Sequence, residues 1–181
     1  MKVLNFTGRN KNGLEVLSNF YKGKIEINGN LYSCGENAFH GEKYLVISTF
    51  KEKERKMELE NYGKKFGLLG EFNTLTPAAI KKKGGKNGLF LNRDELEIWG
   101  REGESIQRKI CREKIKNEIV MKNLLATEEN LLVHPSRVND EKIKGLLWNG
   151  RAKKIDGKWE IWGGNKLGEI WMEIRSEFKN K

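Results

Sequence analysis

Two cysteines and two histidines are all that this chain of 181 residues contains of either type. Cys34 and Cys111 are far apart and form no CxxC pair, so a disulfide scaffold is not expected and the reducing cytoplasm is the default setting. His40 and His134 are too few for a His-rich metal site or a conventional Ser-His-Asp triad. The spacing of His, Cys and carboxylates supplies no ligand set, so neither a metal nor another cofactor is expected. Long apolar runs are missing as well. Nothing approaches the roughly 20 apolar residues of a membrane helix. Residues 1–6 carry a lysine but no apolar core, so they are not expected to act as a secretory signal.

What the chain does have is charge and aromatic mass. Thirty-five Lys and Arg against 25 Asp and Glu leave +10, a balance that favours phosphate-bearing partners and also serves solubility. Five Trp, eight Phe and four Tyr are too much for a disordered chain. The length suits one domain, with two small ones possible. No repeat at solenoid periods and no linker-like stretch is present, so one domain over 1–181 is expected.

Asn28-Gly29 between Lys24-Ile25-Glu26-Ile27 and Leu31-Tyr32 predicts a hairpin with a type I′ turn, and so does Asp156-Gly157 between Lys154-Ile155 and Trp159-Glu160-Ile161-Trp162. The rest reads mainly as helix. One is expected over residues 36–47 and an amphipathic stretch with an interruption over 102–124. A final helix, capped by Asn165, would bury Leu167, Ile170, Trp171, Ile174 and Phe178. Gly84-Gly85-Lys86-Asn87-Gly88 is a loop after the basic run Lys81-Lys82-Lys83. The fold class is therefore α+β and predominantly helical, with small hairpins.

Chemistry concentrates in the helix at 36–47. Positions seven apart return to within roughly 20° on a helix, so Glu36 and Lys43 share a face, with Phe39 and His40 between and roughly 10 Å of axis separating the two Cα atoms. A carboxyl can act as acid or base, and a lysine of lowered pKa can attack a carbonyl carbon. The plain alternative is a solvated ion pair on an amphipathic helix.

The string Leu17-Ser18-Asn19-Phe20-Tyr21, the first hairpin, and Glu36, Phe39, Lys43 and Tyr44 resemble the opening of the NADAR family, also called YbiA-like. Its pattern is an SNF segment, a hairpin, then S-E-H-x-F-Q-x-x-K. Trp99, some fifteen residues before Lys114, and Leu124-Leu125-Ala126-Thr127 continue the likeness. Gly164-Asn165-Lys166-Leu167-Gly168, leading into Trp171-Met172 and Arg175, is similar to the family's G-x-N-x-L-G-x-x-L-M-x-x-R ending. Within the opening stretch three positions depart from it: Gly35 for Ser or Thr, Asn37 for His and His40 for Gln.

The resemblance implies an N-glycosidase that breaks a C–N bond at the ribose anomeric carbon. The substrate would be ADP-ribosylated guanine in nucleic acid or nucleotides, or a ribosylamino-pyrimidine phosphate of the riboflavin pathway. It implies Glu36 as acid or base and Lys43 as the amine of a Schiff base with the opened ribose. An ionised Glu36 would raise the lysine pKa, so that route works best with Glu36 protonated; an oxocarbenium route with Glu36 activating water needs no Schiff base. The family's second acid aligns with Gly145; Asp140 takes the role if the alignment slips, and Asp156 is a weaker substitute.

Ser18, Asn19, Phe20, Asn37, Phe39, His40, Trp99, Trp148, Gly164, Asn165, Leu167 and Gly168 are the expected substrate-binding residues. Hairpin capping and core packing are the competing roles of Asn19, Phe20 and Trp99, and helix capping that of Asn165. A non-catalytic ADP-ribose or nucleic-acid binding module is the alternative from another class. No membrane partner is expected.

Overall fold

A computed structural model describes residues 1–179. The chain runs through β1 (Val3–Asn5), a 3-10 turn (Leu14–Leu17), β2 (Lys22–Ile27), β3 (Asn30–Cys34), α1 (Gly35–Ser48), α2 (Lys53–Lys64) and α3 (Pro77–Lys83). It continues with α4 (Arg93–Lys114), α5 (Glu118–Leu125), β4 (Leu131–Val133), α6 (Asp140–Ile143), β5 (Arg151–Ile155), β6 (Lys158–Trp162) and α7 (Lys166–Lys179). The class is α+β with helix predominant and three two-stranded sheets among the described residues. Two compact units form. One is contiguous, Asn19–Lys114; the other joins Met1–Ser18 to the chain from Ile115 onward.

In the contiguous unit the first expected hairpin forms, with Asn28 and Gly29 at φ 50° and 81° as a type I′ turn requires. Helix α1 follows at once. Its start is fixed by the Glu36 N–H, which donates to the Asn19 carbonyl at 2.9 Å. Halfway along it Glu42 is buried and accepts from Tyr32 Oη at 2.6 Å, Asn28 Nδ2 at 2.6 Å and Asn30 Nδ2 at 3.2 Å. That carboxylate fastens the hairpin to the helix. Ile25, Ile27, Tyr32, Ala38, Tyr44, Ile47, Phe66 and Ile110 make the core around it.

Three features were not expected. Helix α2 is highly charged and buries little beyond Leu59 and Gly63, so it shows no apolar stripe. It is held by Arg55, whose guanidinium forks onto the buried Glu95 at 2.7 and 2.6 Å. Helix α3 begins with a Thr76 side-chain cap and Pro77 in its first turn, and the lysine run is its last turn, where cations favour the helix dipole. Helix α4 starts nine residues before the expected 102. Asn92 and Glu95 there form a reciprocal capping box, each side chain accepting the other's N–H at 2.9–3.0 Å. The interruption lies at 115–117, where Asn117 caps α5 by accepting from Ile119 at 2.9 Å.

In the other unit β1 pairs in parallel with β4, and the second hairpin forms with Asp156 and Gly157 at φ 48° and 80°. Trp171 of α7 is fully buried and donates its indole N–H to the Leu17 carbonyl at 3.0 Å. The Asn165 side chain does not cap α7. It bridges β4 instead, donating to the Leu132 carbonyl at 2.9 Å and accepting the His134 N–H at 3.0 Å. Gly168 lies over the same strand end, and a Cβ there would stand 2.3 Å from the Leu132 carbonyl oxygen. Gly168→Ala must therefore push α7 off β4, and its urea midpoint is expected to fall by an amount equivalent to about 2 kcal/mol with an unchanged slope.

Candidate active site

Helix α1 carries Glu36, His40 and Lys43 on one face, and all three are more than nine-tenths buried. Glu36 lies in the first turn, where the helix dipole favours a carboxylate, and its Oε1 is 3.2 Å from His40 Nε2 one turn on. Lys43 has no acidic partner among the described residues. Its Nζ donates to the Gly84 carbonyl and lies 4.7 Å from the Tyr44 ring centroid. Burial brings its pKa down from 10.5 to about 8. The solvated Glu36–Lys43 ion pair is thus corrected: the acid faces a histidine, and the amine is buried against a backbone carbonyl.

Gly84, on the loop after α3, covers both His40 and Lys43. A Cβ there would fall 2.0 Å from His40 Cγ and 2.1 Å from Nδ1, so this contact tolerates glycine alone. Nδ1 itself is buried without a hydrogen-bond partner among the described residues.

The other candidates of this unit divide. Phe39 meets Trp99 edge-on at 4.9 Å and His40 at 5.7 Å, which places an aromatic pair beside the acid–amine face. Asn37 points the other way. Fully buried, it accepts from Ser33 Oγ and Cys34 Sγ and donates to the Phe66 carbonyl, so its amide serves the fold and not a ligand. Asn19 exchanges two hydrogen bonds with Gln107, at 2.9 and 3.1 Å, while its carbonyl starts α1. Phe20 is half-buried in the turn before β2. A groove of about 710 Å³ lined by Leu31, Leu45, Lys64 and Leu68 includes none of the candidate residues.

Gln107, Lys114 and Gly84 belong to these surroundings but were not anticipated. Lys114 is buried, with a pKa brought down to about 8 by burial, and it shares its surroundings with the thiols of Cys34 and Cys111. Burial pushes both thiols up, Cys111 to about 11, so neither is a thiolate at neutral pH. A signal for Lys114 was available: it continues the Ile106, Ile110 stripe at four-residue steps. Gly84 carried none.

The remaining candidates belong to the other unit. Ser18 is buried at the end of the 3-10 turn. Asp140 bonds Arg151 and Lys153, and those cations hold its carboxyl below the usual range, with Lys153 the larger influence. It is a charged anchor of the β5–β6 hairpin and not a proton donor. Trp148 is half-buried, and Leu167 is part of the core. At the start of α7 the N–H groups of Gly164, Asn165 and Lys166 already bond the carbonyls of Leu146, Asn149 and Leu147 at 2.7–3.0 Å, so these three donors are taken up within the fold. Gly164 also lines a groove of about 570 Å³ with Lys144, Trp162 and Gly163.

The solution NMR structure of the E. coli protein YbiA matches 98% of this chain and 85% of its own, with a TM-score of 0.60 at 20% identity. The fold is YbiA-like. No family model matches the chain, and no curated protein does. Within this YbiA-like fold no group of three His, Cys, Asp or Glu side chains able to hold a metal lies among the described residues, and no described helix is long and apolar enough to cross a membrane.

The depressed Lys43 pKa is also a stability statement. Between about 8 and 10.5 the unfolded lysine binds a proton that the folded one lacks, so this residue's contribution to stability rises with pH. The advantage of Lys43→Met over the parent in urea unfolding is expected to shrink by about 2 kcal/mol from pH 7 to pH 10. A difference independent of pH would show that the amine is not desolvated.

Proposed function

We propose that the protein is an N-glycosidase that cleaves a C–N bond to ribose, with ADP-ribosylated guanine, in nucleic acid or as a nucleotide, as its substrate. The observation that carries the reading is the buried face of α1, where an acid within hydrogen-bond distance of an imidazole shares a helix with an amine that burial has made a better nucleophile. The YbiA-like fold and the order of the motifs along the chain support the same family of reactions.

The chemistry follows from the placement. With a pKa of about 8, about a tenth of Lys43 is neutral at pH 7. The step uses Glu36 in its acid form, which passes its proton to the ring oxygen as the bond from that oxygen to the anomeric carbon breaks, with His40 Nε2 at 3.2 Å beside the carboxylate left behind. The neutral amine then adds to that carbon, the base leaves carrying a proton, and water hydrolyses the resulting imine to release the sugar and restore Lys43. Asp140, held ionised by its two cations, takes no part as an acid.

Incubation with ADP-ribosylated guanosine, read by mass spectrometry, is expected to yield guanine-containing product and free ADP-ribose. Ribosylamino-pyrimidine phosphate run in parallel tests the substrate choice, and a binding module would release nothing from either. Lys43→Ala should lower turnover at least about 100-fold; full turnover in that variant would remove the lysine from the mechanism. Borohydride should trap the sugar on Lys43, and an active but untrappable enzyme would point to the oxocarbenium route. Asp140→Asn should stay within about threefold of the parent.

A further inference from the structure

Lys43 and His40 are both buried with bonding capacity unfilled. An ammonium has three donors, and the Gly84 carbonyl is the one hydrogen-bond acceptor that Lys43 meets among the described residues. His40 Nδ1 meets none there. Leaving such groups unsatisfied in a protein interior is costly, and the cost is tolerated where a ligand is to supply the partners. One residue, Gly84, lies against both groups: its carbonyl on the amine and its Cα against the imidazole.

The loop that carries Gly84 hangs from the end of α3, and its two edges are pinned from outside: Tyr62 Oη donates to the Lys83 carbonyl at 3.0 Å and Tyr44 Oη to the Leu89 carbonyl at 3.3 Å. The backbone bonds of 84–88 are local: Gly84 N–H to Ile80 at 2.8 Å, Gly85 and Asn87 N–H to Lys82 at 3.2 and 2.9 Å, and Gly88 N–H to Gly85 at 3.0 Å. Within 84–88 itself, the side-chain hydrogen bond that arrives among the described residues comes from Lys43. Gly85, Lys86 and Asn87 are exposed.

We infer that Gly84 occupies the place of a vicinal diol of the substrate. With the segment 84–88 displaced, one hydroxyl accepts from Lys43 while its neighbour bonds His40 Nδ1. A hydroxyl fits both demands because it donates and accepts, and neighbouring hydroxyls on one ring match two groups that a single glycine covers. The subsite rests on the ribose substrate proposed above and adds to it the atoms that recognise the sugar. It also makes His40 a binding residue through Nδ1 while Nε2 stays with Glu36.

The test does not depend on turnover. Lys43 is labelled with glyceraldehyde and cyanoborohydride, and the peptide that carries it is quantified by mass spectrometry. In Gly84→Ala the new Cβ cannot coexist with the His40 ring, so Lys43 is expected to label at least about tenfold faster; a rate equal to the parent's would overturn the cover. Should that variant fail to fold, amide exchange in the parent over 84–88 is expected to quicken when methyl ribofuranoside 5-phosphate binds. Unchanged exchange with bound riboside would sink the displacement. The same riboside should protect Lys43 from labelling, with its 2-deoxy and 3-deoxy counterparts about tenfold weaker. Equal protection by all three, or by none, overturns the diol subsite. Loss of turnover with protection intact would instead count against the proposed reaction.

Discussion

The buried Glu42 carboxylate is the fixture from which the acid–amine face takes its position. It accepts from Tyr32, Asn28 and Asn30 and so locks α1 to the first hairpin, while the next residue, Lys43, points about 100° further round toward Gly84. Burial raises the Glu42 pKa, and three donors compensate for the charge. The hairpin turn is thereby more than a connection: Asn28 adopts a positive φ for the turn and sends its amide into the helix. Helix rotation is specified from that side, and the opposite side is left free for chemistry.

That division explains why the two charged groups of the motif do not neutralise each other. Seven residues on a helix set Glu36 and Lys43 on one face yet too far apart for contact, and the interval is filled by Phe39 and His40. The acid takes the imidazole and the amine takes a carbonyl. A direct ion pair would have held the lysine charged; its absence, with burial, is what brings the amine toward neutrality.

Much of this was legible in the residue order. Asn28-Gly29 and Asp156-Gly157 named both turns because few residues tolerate positive φ. Helix α1 followed from a stretch in which Gly41 is the one Gly or Pro, and α7 from its apolar side. Helix α2 was not legible, since its attachment is an Arg55–Glu95 fork and not an apolar stripe, and a charged pair far apart in sequence has no local signature. Asn165 was misread for a related reason: beside a helix start, an asparagine looks like a cap whether its amide turns to the helix or to a strand 33 residues back. Glu36 and Lys43 were legible as types at a spacing, but their burial and the part of Gly84 depend on tertiary approach.

The discontinuous unit has a consequence for how the chain acquires its structure. Strand β1 waits for a partner 128 positions away, whereas 19–114 contains its hairpin, its helices and the Glu42 lock within one stretch. Closing the longer loop costs more entropy before any contact offsets it. During synthesis the partners of the amine-bearing helix are thus all present once residue 114 has been made, whereas β1 has no strand to pair with until 131–133 follows.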